Sequence, residues 1–180
     1  MASIKRKGFG QVEPNHLSAQ RTGQIYAQLI ADSNLNIIEN GMFLKYDYAN
    51  RKAVADASVA GEWLLVYNEE KLYDPRKQGH RFWAMKKTDY VDGEMVPRLY
   101  KTNIGDIFTT NTLGANTADD VITTGVTVNE GDTLVVGSTG YLEVLGASAT
   151  ATAPAFKVVA ITTMPDADVD YPAVKLQRIL

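Results

Sequence analysis

The chain has 180 residues, 45% of them hydrophobic and 22% charged, with no cysteine and a formal net charge of −3. That composition fills the core of one domain and excludes wholesale disorder, disulfides, thiolate metal sites and cysteine nucleophiles. The acidic balance speaks against a general nucleic-acid binder, and no apolar run approaches the roughly 18 residues of a membrane span.

Residues 1–32 differ from the rest. Lys5, Arg6, Lys7 and Arg21 outnumber Glu13 and the terminal Asp32, and Gly8, Gly10, Gly23 and Pro14 interrupt the segment. No apolar segment follows the basic start, so no signal peptide is expected and the protein is expected to stay in the cytoplasm where it is made. Leu17, Ile25 and Leu29 share a helical spacing, but Gly23 falls inside it and costs about 1 kcal/mol relative to Ala. The segment reads as an extended arm with at most a short helix. It also carries Phe9, Leu17, Ile25, Tyr26, Leu29 and Ile30, more apolar groups than a solvated tail needs. Either the arm anchors on another surface or it packs on its own domain.

Residues 33–180 read as one β domain. Leu35, Ile37 and Ile38 precede Glu39-Asn40-Gly41, and Met42 to Tyr48 follow. Asn-Gly between apolar runs predicts a hairpin with a type I′ turn, whose central residues both need positive φ. Glu62-Trp63-Leu64-Leu65-Val66-Tyr67 is a short apolar run, expected as a buried strand. Residues 68–97 read as a charged loop insertion. Lys71, Arg76, Lys77, Arg81, Lys86 and Lys87 mix there with Glu69, Glu70 and Asp74, and Phe82, Trp83 and Met85 lie among them. Val91-Asp92-Gly93-Glu94 reads as a turn, with an extended segment starting near Val96.

Residues 102–156 hold no Lys or Arg, and Thr, Gly, Ala and Val replace them. Thr and Val favour strands. A turn at Glu130-Gly131-Asp132, a strand over 133–136, a turn over 137–140 and a strand over 141–145 are expected, with closing strands over 156–163 and 173–179. Short strands between Gly-rich turns predict a mainly β fold, a small barrel or a sandwich. The halves differ in charge. Residues 1–100 carry fourteen cationic and twelve anionic side chains, whereas residues 101–180 carry four and nine.

Chemistry-bearing patterns are sparse, and no enzyme is expected. His16 and His80 stand alone, with no second ligand at metal spacing and no Gly-x-Ser-x-Gly elbow elsewhere. No phosphate-cradling Gly-x-x-x-x-Gly-Lys is present, and no cofactor is expected. Asp166, Asp168 and Asp170 alternate, so an extended backbone would point three carboxylates to one side, as a Ca²⁺ site needs. The calcium-loop pattern fails at Tyr171 and Gln177, and a solvated loop is the reading taken. Asp119-Asp120 reads as a turn. Phe82 and Trp83 among cations could stack on single-stranded nucleic acid, but three acids sit in the same stretch and a charged surface loop fits better. Trp63, Trp83 and Tyr141 could offer stacking faces to a sugar, with core packing as the competing use.

The basic, Gly-punctuated arm (Lys5-Arg6-Lys7-Gly8-Phe9-Gly10, then Pro14-Asn15-His16) precedes Glu39-Asn40-Gly41-Met42-Phe43, Gly105-Asp106-Ile107-Phe108-Thr109-Thr110-Asn111, and Glu130-Gly131-Asp132-Thr133-Leu134 through Gly140-Tyr141-Leu142. This combination resembles head decoration, or cement, proteins and related minor structural proteins of tailed phages. The likeness is one of style over most of the chain and transfers no individual residue role. It implies a capsid-surface protein, made in the host cytoplasm, that bridges major capsid protein subunits as a dimer or trimer. No nucleic acid or membrane is expected as a partner. In that picture Lys5, Arg6, Lys7 and Arg21 meet acidic capsid patches, while Phe9, Ile25 and Tyr26 fill apolar ones. Tail, neck or baseplate proteins share these features, and a carbohydrate-binding β module is the alternative from another class.

Overall fold

The computed structural model describes residues 1–4, 8–68, 84–114, 125–164 and 171–180. Two six-stranded sheets face each other. The first runs β3 (Ile25–Tyr26), β10 (Leu99–Tyr100), β8 (Leu64–Val66), β6 (Phe43–Asp47), β7 (Lys52–Val54) and β4 (Ile30–Ala31). Its pairs are antiparallel except β4 with β7. The second runs β14 (Leu142–Val144), β13 (Thr133–Val136), β15 (Ala155–Met164), β16 (Tyr171–Arg178), β11 (Ile107–Thr110) and β2 (Val12–His16), all antiparallel. Two short ladders complete the fold: β1 (Ala2–Ile4) with β12 (Val126–Val128), and β5 (Ile37–Ile38) with β9 (Met85–Lys86). The described strands close no barrel. Of the two expected architectures, the sandwich is the one formed.

The first sheet is buried on both faces, which explains its continuous apolar runs. Register places Phe43 beside Leu65 and Leu65 beside Tyr100, and these three face the second sheet. Leu44, Leu64, Val66 and Leu99 point the other way, into a second cluster with Ile38, Met42, Met85 and Met95. A sheet solvated on one side would alternate; one covered on both sides has no polar face to show. The second sheet does alternate. Leu134, Phe156, Val158 and Leu176 face inward, while Lys157 is exposed and Lys175 and Gln177 are half-buried. Between the sheets, Phe156 approaches Phe43 at 5.3 Å and Phe108 at 5.4 Å, ring centre to ring centre. Each such ring pair contributes about 0.5–1.5 kcal/mol beyond area burial.

Two local expectations differ from what forms, while the short helix expected in residues 1–32 is present as Ser18–Thr22. Asn40-Gly41 makes a turn, with the Met42 N–H donating to the Glu39 carbonyl at 3.3 Å, but it joins no hairpin. β5 pairs with β9, and β6 lies in the first sheet between β8 and β7. Gly41 has φ +91° while Asn40 is not among the positive-φ residues, so the turn is not type I′. Gly23 ends the helix α1 (Ser18–Thr22) instead of interrupting a longer one; its φ of 68° is the left-handed C-terminal conformation that favours glycine. In the charged segment, Ala84, Met85 and Met95 are buried, and Lys87–Asp89 and Val91–Gly93 form 3-10 turns. The insertion therefore closes over the first sheet at this end; residues 69–83, with His80, Phe82 and Trp83, lie outside the described residues.

Candidate functional site

The described part of residues 1–31 wraps the sandwich. β1 joins the small ladder, β2 edges the second sheet, and β3 and β4 take the two edges of the first. The connecting turns follow from composition: Pro14 is tolerated in an edge strand, and Gly23 lets the chain leave α1. We call this segment the belt.

The belt is seated by buried polar groups of the body. The Gly10 N–H donates to Glu39 Oε2 at 2.7 Å, and the Tyr141 hydroxyl donates to Glu39 Oε1 at 3.2 Å. Glu39 is fully buried. The Gln11 N–H donates to Asn111 Oδ1 at 2.8 Å, and the Thr110 hydroxyl donates to the Gln11 carbonyl at 2.6 Å. Further along, the Thr109 hydroxyl donates to Asn15 Oδ1 at 2.6 Å. Asp106, almost fully buried, receives the Ser18 N–H at 2.9 Å at the start of α1, and the Ser18 hydroxyl as well. Buried polar atoms must be hydrogen-bonded or they destabilise the fold, and here they fix the belt's path.

Other buried ionisable groups are also struts. Lys45 donates to the Ala57 and Val59 carbonyls at 3.1 and 2.7 Å and lies 4.8 Å from the centre of the Trp63 ring. Arg178 donates to Glu62 Oε1 at 2.8 Å, to the Leu180 carbonyl at 2.9 Å, and to both the carbonyl and the hydroxyl of Thr102. Among the described residues no group of three or more His, Asp or Glu side chains is placed to hold a metal ion. Asp119, Asp120, Asp166, Asp168 and Asp170 lie outside those residues.

Four of the expected partner-binding residues, Phe9, Arg21, Ile25 and Tyr26, lie among the described residues. Phe9 is 3% exposed, with Lys86 Nζ 4.9 Å from its ring centre, so its apolar surface serves the chain's own core. Ile25 and Tyr26 are half-buried in β3, and Tyr26 meets Tyr46 edge-on at 5.9 Å. Arg21 is exposed, with Nη2 3.4 Å from His16 Nδ1. Lys5, Arg6 and Lys7 lie outside the described residues. Of the stacking candidates, Trp63 and Tyr141 are each 6% exposed and belong to the two core clusters, which removes them as platforms for a sugar; Trp83 lies outside the described residues.

Sequence reasoning misses two features. Tyr48 is 75% exposed and meets Tyr46 edge-on at 5.8 Å, so Tyr26, Tyr46 and Tyr48 form a row reaching the surface. The i, i+2 spacing of Tyr46 in β6 and Tyr48 just beyond its end is the available signal. Glu39 reads in the sequence only as part of a turn; a lone carboxylate between Ile37-Ile38 and Met42-Phe43 signals a buried acid with a structural task. Comparison with protein-family models, with curated proteins and with solved structures finds no match.

Proposed function

We propose that the chain is a virion structural protein that binds the outer surface of an assembled phage capsid and stabilises it by bridging major capsid protein subunits. One observation carries the reading: the fold spends its buried carboxylates and cations on struts and lays a belt with an exposed Arg21 around the outside. Among the described residues these groups serve the fold's own seams, which supports a reading in which the molecule works through its surfaces. A body half without Lys or Arg over residues 102–156 suits lateral contact with other subunits through neutral surfaces. Binding only the assembled shell raises its stability by mass action, and weak contacts sum over many copies.

Sedimentation of the protein with expanded capsids that lack it tests the reading. Stoichiometric co-sedimentation across the lattice is the expected outcome. A chain that ignores capsids but occurs at a dozen copies or fewer per particle would instead be a tail, neck or baseplate component. Arg21→Glu, an exposed change, should weaken capsid binding about tenfold, the size of a roughly 1.4 kcal/mol contact. Unchanged affinity would remove Arg21 from the interface.

A further inference from the structure

The belt's four strands share a property. β1 pairs with β12, β2 with β11, β3 with β10 and β4 with β7. Among the described residues no belt strand pairs with another belt strand. Hydrogen bonds from belt to belt gather at α1 and its flanks, such as the Gln20 N–H to the Leu17 carbonyl at 3.2 Å. The side-chain seats at Glu39, Asn111, Thr109 and Asp106 all belong to the body. Lifting the belt away leaves β10-β8-β6-β7 and β14-β13-β15-β16-β11 as unbroken ribbons. The segment thus takes its structure from the body and gives it sheet edges together with buried core side chains, among them Ile4, Val12, Leu17 and Ala31.

The connection from belt to body is short and largely exposed. After β4, Ser33, Asn34 and Asn36 are exposed, and the chain reverses on a turn in which Asp32 accepts the Asn34 N–H at 2.9 Å and the Leu35 N–H at 3.0 Å. The Lys87 ammonium holds the Ser33 carbonyl at 3.0 Å. Opening that turn redirects the belt without breaking a strand of the body.

We propose that the belt, residues 1–31, exchanges between copies of this chain when it self-associates, each body receiving the belt of a neighbour. The exchange is close to balanced because every ladder and every seat lost in one copy is remade identically in the other. What differs is the hinge turn, opened on exchange, and the concentration of bodies. In dilute solution the belt closes on its own body. In an assembly, where neighbouring bodies sit at an effective concentration in the millimolar range, the same contacts form between copies and link them. The inference rests on the reading of the chain as a dimer or trimer at the capsid surface.

The absence of cysteine makes the test direct. Ser3 and Thr127 are exposed, and their Cα atoms are partners in the β1–β12 ladder. Two proteins, S3C and T127C, are mixed as unfolded chains, refolded together at high concentration and oxidised, and the oligomer fraction is separated by size. The expected result is a disulfide-linked S3C–T127C pair at twice the chain mass, well above that from either protein alone, while the doubly substituted chain at low concentration closes on itself. An oligomer with no pair above the single-protein controls overturns exchange alone. A chain that stays monomeric at every concentration overturns exchange and self-association together. Deleting Ser33 and Asn34 in the unsubstituted chain gives an independent reading: a shortened hinge cannot turn back, so monomer should be replaced by dimer severalfold, and an unchanged monomer fraction would count against the idea.

Discussion

At the scale of single residues, two buried side-chain polar atoms among the described residues, the Tyr46 hydroxyl and Asn68 Nδ2, have no hydrogen-bond partner of normal geometry. The Tyr46 side chain is 5% exposed. Burial is the main cause that pushes its phenol from 10.0 up to about 12; the nearby Gln28 backbone N–H acts in the opposite sense, and Tyr48 and Tyr26 add to the rise. A group whose pKa rises on folding stabilises the fold fully below its unfolded pKa and stops doing so as pH climbs through the folded one. Stability should therefore fall from pH 10 toward pH 12, and Tyr46→Phe should flatten that fall. At about pH 7 the same change should be neutral or stabilising by up to about 1 kcal/mol, because the buried hydroxyl removed has no hydrogen bond of normal geometry to lose. Urea midpoints at neutral pH and across the alkaline range check both. Gly10 is the opposite case. A Cβ there would collide with the Thr112 side chain and lie 2.8 Å from Glu39 Oε2. Gly10→Ala should cost about 1–3 kcal/mol, and a denaturation midpoint within error of the parent would show that Thr112 yields.

Between elements, Arg178 does the most. Standing at the end of β16, it binds Glu62 and Thr102, which flank β8 and β10, and so ties the second sheet to the first. Lys101 also reaches Glu62, at 3.3 Å, but both side chains are about a third exposed, and that pair adds little. Arg178→Met should cost about 2–4 kcal/mol, since the buried Thr102 oxygens lose their partner. A fall in chemical-denaturation stability of less than about 1 kcal/mol would mean that water takes over. The element scale also shows what the sequence could and could not reveal. The turns at Gly131 and Gly137–Gly140 and the strands around them were legible because turn residues punctuate local β-pairing, and β13–β14 is such a pair. β8 was legible as an apolar run too short for a helix. The hairpin expected at Asn40-Gly41 does not form because β5 finds β9 across more than forty residues, a choice local chemistry does not encode. The candidate site was legible only in part. Exposed Arg21 matched its charge, but apolar spacing could not tell a residue buried in its own core, such as Phe9, from one meant for a partner.

For the whole molecule, the belt protects what it covers. Without residues 1–31, the outer edges of β10, β7 and β11 lose their present partners, and exposed edges template association between chains. A shortened chain starting at Asp32 should be largely insoluble, and adding the belt as a separate peptide during refolding should restore soluble material; a soluble, monodisperse truncation would show that the edges need no cover. The same layout bears on how the chain is made. Ala2 leaves the ribosome well ahead of its ladder partner Val128, and at roughly 5–20 residues per second that partner arrives about 6–25 s later. For that interval β1 has no partner of its own chain to hold, although β4 meets β7 much sooner. Folding dominated by such distant pairings is slow, and on a crowded messenger the first finished body that a nascent belt meets can belong to the chain ahead of it.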